Sequence, residues 1–226
     1  MAAKGALELL KGLDIDRLGV GTGSTVARFI ELLEEENIKP RVVAASSLDT
    51  ALTLSEKGYN IIHPSLTPVL DAYVDGADEV DPQGRLIKGR GAALLGEKIL
   101  ASQSRLNIII VTSEKLVEAL GSRKPVPVEV VRDSIQPALR LIRKRYPNAV
   151  VRRGQGKDGP VVSDWGGVIV DVYTGPLRDP LEAEMFLKSI PGVVETGLFI
   201  GYTDYVVVGR EDCQWEVFRY ERSKIP

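Results

Sequence analysis

The segment Gly19-Val-Gly-Thr-Gly-Ser-Thr25 constrains the fold of this chain more than any other, because it sets three alternate glycines between an apolar run and a helical pattern. Arg17-Leu-Gly-Val20 has the length and composition of a short buried strand. Beyond the glycines, Val26, Phe29, Ile30 and Leu33 recur with the period of an amphipathic helix. A strand, a glycine turn and a helix in that order let backbone N–H groups converge at the positive end of the helix, where an anion binds. Ser24 and Thr25 add hydroxyl donors. The plain alternative is a tight turn capped by Ser24. A Walker-type loop would need Gly-Lys-Ser/Thr after the turn, which is missing. A dinucleotide site would need an acid closing the second strand, which here ends Ala45-Ser46-Ser47. Phosphate without a dinucleotide fits the segment best.

The same alternation continues. Arg41–Ala45 reads as a strand, Leu48–Lys57 as a helix ended by Gly58, and Tyr59–His63 as another strand. Leu70–Val74 is a further strand; the polar stretch from Asp75 to Gly89 leads into a helix from about Gly91 to Gln103, and Asn107–Val111 returns as a core strand. This pattern predicts an α/β fold with a mostly parallel sheet and helices on both faces. It changes at Pro125-Val-Pro127, as expected at a domain crossing. After it come a strand at Val128–Val131, a helix around Ser134–Lys144, two or three strands between Ala149 and Tyr173, a helix at Asp179–Ser189 and a strand at Val193–Phe199. Tyr205–Val208 is placed to rejoin the first sheet. We therefore expect residues 1–125 with 200–226 as the larger domain and 126–199 as a smaller α+β domain.

Composition excludes several classes of function. Lys and Arg number 29 against 31 Asp and Glu, so no global field points to nucleic acid or to an anionic membrane. The most apolar run, Asn107–Thr112, has the length of a buried strand and is too short to span a bilayer. With no secretory pattern at Met1-Ala-Ala-Lys4, the expected location is cytoplasmic. Cys213 is the one cysteine and His63 the one histidine, which excludes an internal disulfide and a Cys/His metal cluster. That leaves the chemistry to carboxylates, lysines, hydroxyls and backbone.

Two segments have that chemistry. Asp75-Gly-Ala-Asp-Glu79 follows an apolar strand, so Asp75 and Asp78 should emerge at the carboxyl edge of the sheet, where open α/β folds bind ligands. Acid/base work on a polar substrate, a solvated acidic turn and a divalent-metal site all remain open for them. Lys88-Gly-Arg-Gly-Ala-Ala-Leu-Leu-Gly-Glu97 is a second glycine-flanked entry to a helix. Glu97 falls between Ala93, Leu94, Leu100 and Ala101 on the helical wheel. Desolvation there raises a carboxyl pKa toward neutrality, which suits a general base. The alternative is a structural ion pair with Lys88, Lys98 or another cation.

Taken in order, Gly21–Thr25, Asp75–Glu79, Lys88–Ala92, Glu97-Lys98 and Pro125-Val-Pro-Val-Glu129 resemble the motif set of the A-type ribose-5-phosphate isomerases. The similarity continues through Gly167–Asp171 and Ile190–Val194 to Gly197–Phe199. The resemblance implies a two-domain subunit with a Rossmann-like catalytic domain, a smaller domain involved in oligomerisation, and a homodimer or homotetramer. It also implies a sugar-phosphate substrate, no cofactor and no metal, and aldose–ketose isomerisation through an enediolate. By motif, Thr22, Gly23, Ser24 and Thr25 hold the substrate, chiefly its phosphate. Asp75, Gly76, Ala77 and Asp78 meet the sugar hydroxyls, and the two carboxylates assist ring opening. Lys88 with Gly89, Arg90 and Gly91 matches the lysine-glycine substrate loop, Glu97 the proton acceptor between C1 and C2, and Lys115 a further substrate-binding lysine.

Two positions depart from that pattern: Arg90 stands where glycine is frequent, and Asp49 where a small hydroxyl residue is frequent. A non-catalytic sugar-phosphate sensor on the same fold would carry a DNA-binding element and could lose its acids, whereas Asp75, Asp78, Lys88 and Glu97 are all present. The motif set also argues against an amino-sugar-phosphate isomerase/deaminase and an acyl-CoA transferase.

Overall fold

The computed structural model describes residues 1–156 and 158–222. In chain order the elements begin with α1 (Ala2–Lys11), β1 (Arg17–Val20), α2 (Ser24–Glu35), β2 (Val42–Ala45), α3 (Leu48–Glu56), β3 (Ile61–Ile62) and β4 (Ala72–Asp75). The strands β5 (Glu79–Val80) and β6 (Leu86–Ile87) follow, then α4 (Leu94–Ser102) and β7 (Asn107–Thr112). Next come β8 (Val126–Val130), α5 (Ile135–Arg143), β9 (Val150–Val151), β10 (Val168–Val172) and α6 (Pro180–Lys188). The last strands are β11 (Val193–Thr196), β12 (Leu198–Phe199), β13 (Tyr205–Gly209) and β14 (Trp215–Arg219). They fall into two compact units: Met1–Ala77 with Gly96–Lys115 and the described residues from Gly201 onward, and Asp78–Leu95 with Leu116–Ile200.

The first unit is built on a seven-stranded sheet in the order β14-β13-β7-β4-β1-β2-β3. All neighbours pair in parallel except β13 with β14. Helices lie on both faces, as the alternation predicts. Side chains alternate across a strand, so Leu18 and Val20 of β1, Ala72 and Val74 of β4, and Ile108 and Ile110 of β7 join one core with Leu7 of α1 and Phe29 of α2. The alternate residues of β4, Tyr73 and Asp75, belong to the opposite face. From β1 the sheet order runs one way through β2 to β3 and the other way through β4 to β7. The loops after β1 and β4 therefore leave the carboxyl edge at the topological switch point, where such sheets bind ligands.

The second unit has a four-stranded antiparallel sheet, β11-β8-β10-β9, and a three-stranded one, β12-β6-β5. Ala138, Leu139 and Ile142 of α5 and Ala183 and Leu187 of α6 join its core. Asp179 caps α6, its side chain accepting the Glu182 N–H at 3.0 Å with Pro180 in the first turn. This unit takes in 78–95, 116–125 and Ile200 besides the expected 126–199. Pairing explains the difference. β6 is bound to β12, and the buried carboxylate of Glu79 collects the N–H groups of Gly121, Arg123 and Lys124 at 2.6, 2.7 and 2.7 Å.

Three local differences from the sequence reading have physical reasons. The stretch Asp75–Gly89 contains β5 and β6, each too short to show a period. Val193–Phe199 is two strands, because the chain changes partner at Gly197, whose N–H donates to the Pro127 carbonyl at 2.7 Å beside β8 and whose carbonyl accepts the Lys88 N–H at 2.9 Å beside β6; β11 pairs with β8 and β12 with β6. The helix expected from Gly91 begins at Leu94, since Ala92 is held at φ +60, outside the right-handed region.

Candidate active site

In the first unit the turn after β1 and the end of β4 are bound to each other. β1 and β4 pair with Val20 opposite Val74, which sets Gly21 beside Asp75. A Cβ on Gly21 would lie 1.8 Å from Oδ1 of Asp75, so only glycine allows the approach. Oδ1 accepts the N–H of Thr22 at 3.1 Å and that of Gly76 at 2.7 Å. Oδ2 accepts the hydroxyl of Tyr73, which lies two residues back on the same face of β4. Tyr73 is 1% exposed and Asp75 fully buried. Burial, followed by the carboxylates of Asp75 and Glu97, pushes the Tyr73 phenol well above its ordinary range. It therefore stays protonated and acts as a donor. Tyr73 was missing from the sequence reading, although strand alternation alone puts it on the Asp75 face.

The helix start beside this carboxylate suits an anion. Gly23 is the N-cap of α2, no side chain caps the helix, and its first turn has no acid. The reading of a turn capped by Ser24 does not hold, because Ser24 is the first helical residue. Uncapped N–H groups and the positive end of the dipole remain there, with Ser24 exposed and Thr25 half-buried. Asp49, one of the two departures, lies exposed in the first turn of α3, where a carboxylate favours the helix dipole. The cap of α3 is Ser47, which accepts the Thr50 N–H at 3.2 Å.

The same unit holds Glu97 and Lys115. Glu97 is 3% exposed on α4, with Leu100 and Ala101 buried near it, and its charge acts on Tyr73. Glu97 thus belongs to the face of the sheet that carries Tyr73 and Asp75. Lys115 ends a short 3-10 turn directly after β7, another strand of the same parallel edge, and its Nζ lies 3.5 Å from Glu114.

The second unit holds Asp78, Lys88, Gly89, Arg90 and Gly91. Asp78 donates its backbone N–H to Ile87 at 2.8 Å, and its Oδ2 accepts the N–H of Arg90 at 3.0 Å. The Arg90 side chain, the other departure, is 73% exposed and turns its Nε to 3.7 Å from Oδ1 of Asp78. Lys88 is buried, with its N–H on the Gly197 carbonyl at 2.9 Å and its Nζ 5.5 Å from the centre of the Phe199 ring. The three acids of the Asp75–Glu79 motif thus avoid mutual repulsion through separate donors: the Thr22 and Gly76 N–H groups with Tyr73, the Arg90 backbone, and the three N–H groups on Glu79.

Among the described residues no group of three or more His, Cys, Asp or Glu side chains could hold a metal ion. His63 is exposed and caps its own turn, Nδ1 accepting the Ser65 N–H at 3.2 Å. Cys213 is an exposed thiol.

A family model, ribose 5-phosphate isomerase A (phosphoriboisomerase A), matches residues 42–213. The chain belongs to that family. It is 49% identical over 226 residues to the ribose-5-phosphate isomerase A of Aeropyrum pernix, covering 99% of this chain and 95% of that protein. To the Pyrococcus abyssi protein of the same name it is 39% identical over 216 residues, covering 94% and 93%. A solved D-ribose-5-phosphate isomerase in complex with phospho-erythronic acid superposes with a TM-score of 0.88 at 37% identity, covering 96% of each chain. The ribose 5-phosphate isomerase A of Methanocaldococcus jannaschii gives 0.87 at 31% identity, covering 96% of this chain and 97% of that one.

Proposed function

We propose that the chain interconverts D-ribose 5-phosphate and D-ribulose 5-phosphate through an enediolate, in the non-oxidative pentose phosphate pathway. It is an aldose–ketose isomerase. The observation that carries the reading is the bond from the Thr22 N–H to Asp75 at the switch point, made in a chain that matches this family over residues 42–213.

The residues divide the work by their chemistry. The phosphate takes the α2 N-terminus, with Gly23, the hydroxyls of Ser24 and Thr25, and the cation of Lys115. Asp75 serves as the acceptor that orients Thr22, Gly76 and the adjoining Ala77, because its own oxygens are occupied inside the fold. Ring opening falls to Asp78, whose side chain is 15% exposed. Lys88 and the N–H groups of Gly89, Arg90 and Gly91 stabilise the charge that grows on O1 and O2. Glu97 takes the proton from C2 and returns it to C1, while the O2 hydroxyl proton passes to O1, so the ketose forms with no net loss of protons or electrons. A positioned base and oriented donors suffice for this chemistry.

The experiment is an assay of chelator-treated protein with ribose 5-phosphate and detection of the ketose. Ketose should form at an undiminished rate. A large loss restored by one divalent ion would support the metal reading of Asp75 and Asp78 instead.

We propose in addition a homodimer or homotetramer working in the cytoplasm on a small sugar phosphate, with neither nucleic acid nor membrane as partner. Exposed Leu181 and Met185, one turn apart on α6, support self-association. Among the described residues no helix is long and apolar enough to cross a membrane. Light scattering on an eluting peak measures the assembly, and a monomer at micromolar concentration would contradict it.

A further inference from the structure

The loop of Lys88, Gly89, Arg90 and Gly91 has a backbone that local preference does not explain. Gly89 has φ +101, and a Cβ there would lie 2.9 Å from that of Leu94. Ala92, which does have a Cβ, is held at φ +60. A residue other than glycine keeps that conformation only where its surroundings over-determine it. Packing supplies part of this, since Ala92 is buried against Leu94 and Ile169. The Ala92 N–H donates back to the Gly89 carbonyl at 3.0 Å. That bond bears on the Gly89 carbonyl alone, and neither contact holds the carbonyls of Gly89 and Arg90 together.

One side chain does. Nη1 of Arg152 donates to the carbonyl oxygens of Gly89 and Arg90 at 3.0 and 2.8 Å. Nε and Nη2 of the same guanidinium donate to the two carboxylate oxygens of Asp171 at 2.8 and 2.5 Å. Both partners come from one antiparallel pair: Asp171 is on β10, opposite Val150, and Arg152 directly follows β9 with its N–H on the Ile169 carbonyl at 2.8 Å. Their side chains are 16% and 13% exposed, so the guanidinium is held largely out of water. Its planar fork meets a carboxylate on one side and two carbonyls on another, which a lysine ammonium cannot reproduce.

The peptide group joining Gly89 to Arg90 is therefore fixed at both ends. Its oxygen is on Arg152 and its N–H on Oδ2 of Asp78. Because the unit is planar and trans, turning the oxygen toward Arg152 aims the N–H the opposite way. The next peptide follows the same rule: the Arg90 carbonyl on Arg152 directs the Gly91 N–H away from it. A hydrogen-bonded chain thus runs from Asp171 through Arg152 and the Gly89–Arg90 peptide to the Asp78 carboxylate.

We propose that Arg152, locked by Asp171, is a positioning residue for the isomerisation. It sets the 88–91 loop and, through one peptide group, the orientation of Asp78, without touching the sugar phosphate. The inference rests on the reading above that Asp78 and this loop meet the substrate.

The test uses the full-length enzyme, ribose 5-phosphate as substrate, and the variants Arg152→Ala, Arg152→Lys, Asp171→Asn, Asp78→Asn and the double Arg152→Ala/Asp78→Asn. Arg145→Ala, which breaks an exposed ion pair with Glu182 in the same unit, is the control. Misplacing catalytic groups by about an ångström costs up to about a hundredfold. Arg152→Ala and Arg152→Lys should each lower kcat/KM about 10- to 100-fold, Asp171→Asn less but in the same direction, and Arg145→Ala less than twofold. Millimolar methylguanidinium should restore Arg152→Ala several-fold while leaving Asp78→Asn unchanged. The double variant should lose little beyond Asp78→Asn, since the two act as a unit. Folded Arg152→Lys and Asp171→Asn with kcat/KM within twofold of the parent would overturn the proposal. So would losses that merely follow the thermal midpoint, with full additivity and no rescue. An active Asp78→Asn would instead sink the underlying reading of the site.

Discussion

The hydroxyl of Tyr73 donates to Oδ2 of Asp75 within a single strand, two buried residues on one face of β4. The bond occupies the carboxylate oxygen that does not hold the Thr22 and Gly76 N–H groups. Asp75 is thereby fixed in place before any substrate arrives, and with it the turn that begins α2.

Tyr73→Phe keeps the ring and removes one donor from a buried carboxylate. Losing such a partner costs about 1–3 kcal/mol. Urea denaturation should show a loss in that range with an unchanged m-value, and kcat/KM should fall with it as the Thr22 turn loosens. Unaltered stability would mean the hydroxyl does not matter to Asp75.

Ser24→Ala combined with Thr25→Ala removes hydroxyls assigned to the non-reacting phosphate. Hydrogen bonds to a charged group are worth about 1.5–3 kcal/mol, so KM should rise about tenfold or more with a smaller fall in kcat. Steady-state kinetics with ribose 5-phosphate decide this. An unchanged KM would remove the phosphate from the α2 N-terminus.

The turn and the helix behind it were legible in the sequence because glycine spacing and the 3.6-residue period are local properties of residues 17–33. The parallel sheet followed from strand and helix alternation, and the burial of Glu97 from the small and apolar residues around it on one helix. What the sequence did not disclose depends on distant partners. The strands β5 and β6 have two residues each and exist because β12 pairs with β6. Ala92 takes a backbone conformation against its own preference. Arg152, just after β9, reaches the 88–91 loop from more than sixty residues further on, and Asp171 of β10 holds it there. Tyr73 was within reach of strand alternation but reads as an ordinary core aromatic until Asp75 is placed beside it.

Glu129 gives a prediction about pH. It is buried on β8, where Oε1 accepts the Ser163 hydroxyl and Oε2 has no hydrogen-bond partner among the described residues. Burial pushes its carboxyl above the ordinary range, against the hydrogen bond from Ser163. A raised folded-state pKa gives stability that is complete below the unfolded value, about 4.3, and is lost as pH rises through the folded value. Asp71 and Glu182, held low by hydrogen bonds from Arg17 and Arg145, act with the opposite sign. They are common to parent and variant, so the difference between the two isolates Glu129. Urea melts from pH 4 to 8 should show Glu129→Gln gaining on the parent as pH rises. A difference that does not change with pH would contradict this.

If Glu97 moves the proton between C2 and C1, Glu97→Gln stops it, because the amide keeps the volume but cannot take the proton. The measurement follows kcat together with exchange of the C2 hydrogen into deuterated water, alongside a binding titration and a thermal melt on the same preparation. Loss of a general base costs about 10² to 10⁴ in rate. A fall of that size in both turnover and exchange is the expected result, with the fold intact and substrate affinity within about tenfold of the parent. Near-normal turnover or exchange in the folded variant would contradict it and move the base to Asp78 or Asp75.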